Sequence, residues 1–199
     1  MSRAFDLLVA ALALVITAPL SALIALAIRL EGGGPAIYRQ RRVGRGGAEF
    51  DLLKFRTMVS GSDPVGIGTA VAADDPRVTR VGRVLRKLSL DELPNLLNVL
   101  RGEMAIVGPR PTISAQVELY TPRQRRRLEV RPGLTGWAQV SGRAAIDWSE
   151  RIELDVWYVE NRSLGLDARI LARTARLLLT GQGIGGETPS SRVPPEWRR

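Results

Sequence analysis

Residues 83–111, RVLRKLSLDELPNLLNVLRGEMAIVGPRP, decide how the chain is read: two adjacent acids, Asp91 and Glu92, precede an apolar helix, a short apolar strand and an arginine between two prolines. Read locally, Ser89-Leu90-Asp91-Glu92 has the spacing of a helix capping box, with the Ser89 hydroxyl receiving the Glu92 N–H and Glu92 reaching back. Pro94 draws the helix start toward Asp91, since proline suits a first turn and not an interior. Either register sets Asp91 at the positive end of a helix. A carboxylate there stays ionised at neutral pH, as a nucleophile or metal ligand must be. Leu93, Leu96, Leu97 and Leu100 share one helical face and are read as core. Gly102 stops the helix, residues 104–107 form a buried strand, and Gly108-Pro109-Arg110-Pro111 is a rigid turn that preorganises the Arg110 guanidinium.

Composition narrows the chemistry around these acids. The 199 residues include no cysteine and no histidine, which excludes disulfides, thiolate zinc sites, His-paired triads and imidazole bases together. Catalysis would have to use carboxylates, hydroxyls, lysine and arginine. The net charge of +9 suits nucleic acid, anionic lipid or a phosphorylated substrate equally, so position must arbitrate. Lys54 and Lys87 are the only lysines. The arginine excess is first of all compositional, although the guanidinium fork does suit phosphate.

Upstream, residues 7–28 carry no charge. As one straight helix they would measure roughly 33 Å, about a bilayer core. Pro19 lies near the middle and predicts a kink or break, leaving a first arm of only about 18 Å, too short to span. Arg3 precedes the run and Arg29, Arg39, Arg41, Arg42 and Arg45 follow it, and positive flanks favour the cytoplasm. Both ends on one side describe a re-entrant hairpin; a single kinked span is the alternative reading of the same residues. Both put the remainder of the chain at the cytoplasmic face.

Residues 36–41 and 49–55, around a glycine-rich bend, read as a hairpin leading into Lys54-Phe55-Arg56-Thr57-Met58, whose basic edge is expected to be solvated. Residues 60–76 read as a loop, and 78–87 as a short basic helix. Thr121-Pro122 opens a polar helix, PRQRRRLEV, whose arginines are expected at headgroups or in solvent. In VRPGLTGWAQVSGR, residues 130–143, the glycines permit close backbone approach and residues 137–140 look strand-like. Residues 147–161 have helical spacing, with Asp155 an acid inside an apolar stretch. Residues 164–180 form a basic amphipathic helix of the kind that lies in a headgroup plane, and from 181 onward composition predicts a loose tail.

A membrane element, two neighbouring acids, no histidine and arginines on rigid turns together suit phosphoryl chemistry on a lipid-borne substrate. Mg²⁺ is the metal that carboxylates and phosphates bind jointly. Adjacent acids on a helix point about 100° apart, so one would attack phosphorus and the other would hold the metal. Spacing does not say which.

KFRTM, LSLDELPNLLNVLRGEMAIVGPRP and RPGLTGWAQVSGR, in that order along the chain, resemble the motifs of the bacterial sugar transferase family, the monotopic phosphoglycosyl transferases that start glycan assembly on polyprenol phosphate. The resemblance runs from about residue 5 to about residue 180 and is to the smallest members. It implies that Asp91 attacks the β-phosphate of a UDP-sugar, releases UMP and forms a covalent phosphosugar intermediate that polyprenol phosphate then takes. It also implies that Glu92, beside Asp91, coordinates Mg²⁺, and that Lys54, Arg86, Arg110, Arg131, Arg143 and Asp155 line the pocket. Relatives break the membrane helix at a Ser-Pro pair; here the pair is Ala18-Pro19.

The expected fold is therefore α/β in the broad sense (α+β, mainly helical). A re-entrant membrane helix-break-helix occupies residues 1–30, a catalytic domain with interfacial amphipathic helices residues 31–180, and a loose tail residues 181–199. The expected place is the bacterial inner membrane, with the catalytic domain on the cytoplasmic face. A tethered binding protein with a decayed site is the second reading, opposed by the intact Asp91-Glu92 pair. Nucleic-acid binding is the third, opposed by an aromatic content of 5%.

Overall fold

A computed structural model describes residues 2–62, 75–141 and 148–180; the expected tail at 181–199 lies outside them. The apolar run forms α1, Arg3–Gly32, with the Ser2 hydroxyl capping its first turn. The break expected at Pro19 does not interrupt the helix. A proline removes one N–H bond and fixes φ at a helical value, so the backbone on either side can stay helical. Of the most apolar stretch of α1 only 11% is buried, so it is not an ordinary core helix.

Both ends of α1 are nevertheless fastened to the same body. At the start, Arg3 donates to the carbonyls of Val99 (2.7 Å) and Leu100 (3.2 Å), placing a cation on the negative end of a later helix. The buried Asp6 accepts from the Ile106 N–H at 3.1 Å. At the other end, Ile24 and Ile28 pack with Phe55 and Leu85, and the Glu31 carboxylate accepts from the N–H groups of Arg80 and Val81. Between these anchor points Leu12, Val15, Ile16 and Leu23 are exposed.

The expected hairpin is present as β1, Ile37–Val43, and β2, Glu49–Phe55, antiparallel in register from Ile37↔Phe55 to Val43↔Glu49. Helix α2, Arg80–Lys87, follows an N-cap at Thr79, and α3, Asn95–Arg101, lies against β2 and α1. Only part of the leucine face expected on α3 is buried: Leu96 joins the core and Leu93 packs against it. Asn95, Leu96, Asn98 and Val99 are buried, whereas Leu97 and Leu100 are exposed. The reason is Asn98, fully enclosed, which accepts from the Leu53 N–H at 3.0 Å and donates to the Asp51 carbonyl at 2.7 Å. Those two bonds fix the helix face that meets the strand edge, because buried polar groups must be paired.

Strand β3, Ala105–Val107, pairs in parallel with β4, Gly133–Thr135. Short helices α4, Ser114–Glu118, and α5, Pro122–Arg125, lie between them. The residues expected to be strand-like at 137–140 instead form α6, Trp137–Ser141, because the strand has already ended at Thr135. Helices α7, Trp148–Glu160, and α8, Leu164–Thr180, complete the described chain. Tyr158 of α7 and Leu166 and Ile170 of α8 join Phe50, Leu52, Val99 and Met104 in the main core.

Glycines set the closest backbone contacts. A Cβ on Gly133 would lie 2.1 Å from the Gly108 nitrogen, and one on Gly136 the same distance from the Gly108 carbonyl oxygen. Gly165, in α8, has open space beside it. Gly133→Ala is therefore expected to destabilise by at least the roughly 1–3 kcal/mol of core overpacking. Gly165→Ala should be neutral or stabilise by up to about 1 kcal/mol. Thermal unfolding of the two variants checks the contrast, and equal midpoints would refute it.

Candidate active site

Asp91 and Glu92 do not sit in a capping box. Ser89 adopts a left-handed conformation (φ 55°) and its hydroxyl makes no cap bond, so residues Leu90–Glu92 form a single 3₁₀ turn ahead of α3. Among the described residues a capping box forms instead at Thr121, whose side chain exchanges bonds with Gln124. The tight turn after α2 separates the two acids. Glu92 Oε1 accepts from Lys54 Nζ at 2.9 Å and from Arg110 Nη2 at 2.6 Å. Among the described residues Asp91 makes no hydrogen bond or ion pair, although the charges of Lys54, Arg110 and Arg86 act on it.

This asymmetry sets the proton affinities. Burial pushes Glu92 up, but Arg110 and Lys54 outweigh it and hold the carboxyl well below its usual range. Burial raises Asp91 above 3.8, against the pull of Lys54, with Glu92 adding to the rise. One acid is thus fixed and ionised, while the other is uncommitted and more basic.

Three elements bring these groups together. Lys54 lies on β2 opposite Tyr38, Arg110 on the turn after β3, and Arg86 on α2, where its Nε donates to Thr57 Oγ1 at 3.0 Å. Arg110 is itself supported from behind. Arg127 Nη2 donates to the Arg110 carbonyl at 2.9 Å and to Asp155 Oδ2 at 2.5 Å, and Arg127 also bonds the Tyr120 hydroxyl. Arg127, expected at headgroups or in solvent, is buried because this carboxylate and carbonyl compensate its charge. Asp155 is buried too, and burial raises it to about 6 against the attraction of Arg127. It stands behind Arg110 and does not line the cleft. Arg131 donates to the Gly102 carbonyl at 2.9 Å, at the end of α3, and is not brought to Glu92. Arg143 lies outside the described residues.

A small crevice on the Glu92 side, which Asp91 does not line, is bounded by Arg42, Glu92, Asn95 and Arg110 over the buried Leu52 and Met104. Arg42 and Asn95 were not legible as site residues, although period-two alternation puts Tyr38, Gln40 and Arg42 on the hairpin face that carries Lys54. Asn95 Oδ1 is buried without a partner. Both contacts to Glu92 fall on Oε1, which leaves its Oε2, like Asn95 Oδ1, without a hydrogen-bond partner among the described residues, and both residues line the same crevice. No group of three acidic side chains converges among the described residues. A hard divalent cation would take few ligands from the protein and the rest from phosphate and water, which fits Mg²⁺.

The chain matches the family model described as bacterial sugar transferase over residues 1–181. It is 47% identical to an uncharacterized sugar transferase, EpsL, of Bacillus subtilis, across 92% of this chain and 90% of the relative. It is 44% identical to the exopolysaccharide production protein ExoY of Sinorhizobium fredii, across 91% and 86%. It is 49% identical to the UDP-glucose:undecaprenyl-phosphate glucose-1-phosphate transferase of Caulobacter vibrioides, across 89% and 69%. A family match over nearly the whole chain, with relatives of this identity and coverage, assigns the protein: it belongs to the bacterial sugar transferase family.

Proposed function

We propose that this phosphoglycosyl transferase moves a sugar 1-phosphate from a UDP-sugar to polyprenol (undecaprenyl) phosphate, giving polyprenol-diphosphate-sugar and UMP. The observation that carries the reading is the division of labour at the acids: Glu92 is clamped by two cations while Asp91 is ionisable, without a bonded partner among the described residues, and flanked by positive charge. An Asp91 oxygen attacks the β-phosphorus of the UDP-sugar. The bond from that phosphorus to the bridging oxygen breaks, and UMP departs with the electron pair. A phosphate oxygen of polyprenol phosphate then attacks the same phosphorus, breaks the acyl-phosphate bond and returns Asp91 as a carboxylate. Lys54, Arg86 and Arg110 supply the positive charge that such a transfer needs around the phosphoryl oxygens. Glu92 Oε2 and Asn95 Oδ1 would hold Mg²⁺, which when bound neutralises diphosphate charge. The name of the Caulobacter relative supports both substrates.

The membrane reading rests on α1. Its two ends are fastened to one body while its middle displays apolar side chains, and a helix crossing a bilayer cannot keep both ends on a domain at one face. We assign α1 a re-entrant placement in the inner membrane with the body on the cytoplasmic side, where UDP-sugars are made.

Incubating the protein with Mg²⁺ and a panel of UDP-sugars should release UMP and leave labelled sugar phosphate on the protein when acceptor is withheld. Asp91→Asn should lower UMP release at least about 10³-fold; full turnover by this variant would end the covalent mechanism. Because the reactive form of Asp91 is the carboxylate and its pKa is raised above 3.8, single-turnover UMP release should fall on the acid side with a midpoint above that value. The fall should approach tenfold per pH unit, and a midpoint at or below 3.8 would contradict it. The chain contains no cysteine, so single substitutions report topology cleanly. Ala4→Cys and Pro35→Cys should both react with an impermeant maleimide in inverted vesicles, with Ile16→Cys protected. Labelling of the first two from opposite faces would establish a single span.

A further inference from the structure

Arg42 is the cation of this site that the acids do not account for. It stands on β1 in a row with Tyr38 and Gln40, on the face that carries Lys54. Its Nε and Nη2 donate to Gln40 Oε1 at 3.2 and 2.7 Å, and Nη1 reaches the Pro111 carbonyl at 3.4 Å. These are neutral acceptors. Glu92, whose charge acts on Arg42, is already shared by Lys54 and Arg110, and among the described residues no carboxylate lies within ion-pair distance of Arg42. Arg42 and Arg110 line one cleft and repel each other: burial and the Arg110 charge lower Arg42 to about 10. Two guanidiniums held together in a partly buried cleft, one of them by a glutamine that fixes its plane, is an arrangement that an anion relieves. Three of the five guanidinium N–H groups are used in the described bonds, which leaves two without an acceptor among the described residues.

We propose that Arg42, oriented by Gln40, binds a phosphate oxygen of a substrate in the cleft it shares with Arg110. The inference rests on the proposed function for the identity of that substrate and on the cleft alone for its anionic character. The phosphate could belong to the diphosphate of the UDP-sugar or to the polyprenol phosphate.

The test uses the full-length protein in detergent or nanodiscs with Mg²⁺, comparing wild type, Arg42→Gln and Arg42→Lys. Three probes are titrated: inorganic pyrophosphate, UDP, and a short-chain polyprenol phosphate. Loss of a charge-assisted contact should weaken binding of at least one probe roughly 10–100-fold in Arg42→Gln, with Arg42→Lys intermediate because it keeps the charge and loses the fork. A loss confined to pyrophosphate and UDP assigns Arg42 to the donor diphosphate, and a loss confined to polyprenol phosphate assigns it to the acceptor. Gln40→Ala, which frees the guanidinium without removing its charge, should weaken the same probe by a smaller factor and leave the others unchanged. Arg42→Gln that melts within a few degrees of wild type and binds all three probes within twofold overturns the assignment. Failure of the functional reading looks different: no UDP-sugar yields UMP with wild type, yet pyrophosphate binding still depends on Arg42. Wild type that binds none of the three probes overturns both.

Discussion

The site depends on one carboxylate oxygen. Glu92 Oε1 receives Lys54 from a strand 38 residues away in sequence and Arg110 from a turn 18 residues away, so a single acceptor joins the hairpin, the 3₁₀ turn and the loop after β3. A partly buried carboxylate is tolerated only when paired, and removing either partner leaves charge uncompensated. The surrounding structure is arranged to keep both partners in place. Asn98 ties α3 to β2, which carries Lys54, and Arg127 ties the Arg110 carbonyl to Asp155.

That arrangement gives two adjacent carboxylates different properties. Glu92 loses its proton affinity to two neighbouring cations, whereas Asp91 gains affinity from burial and has no committed partner. A nucleophile needs accessibility and basicity, and a charge holder needs neither. The tight turn that follows the left-handed Ser89 makes the separation possible, since a regular capping box would have tied up the second acid with the backbone.

Much of this was visible in residues 83–111. The helix, the strand and the proline-bracketed turn were all marked by local chemistry, and Lys54 and Arg110 are both bonded to Glu92. Other features were not legible because nothing local distinguishes them. Arg127 reads like its exposed neighbours in PRQRRRLEV until Asp155 and Tyr120 arrive from elsewhere to bury it. The exposed Leu97 and Leu100 satisfy the 3.6 period as well as the buried positions do. Arg42 looked like a positive flank because its relation to Arg110 is a long-range contact.

The sequence by itself determined the chemistry available and the presence of an apolar segment long enough to enter a membrane. Absence of cysteine and histidine left carboxylates and cations, 22 uncharged residues demanded an apolar environment, and three motifs in order marked the family. Only the tertiary structure decided which acid is bound and which is open, which arginine props the loop and which faces the cleft. Side-chain identity is local, but the electrostatic environment that sets a pKa or frees a guanidinium is the sum of charges and burial contributed by segments far apart in the chain.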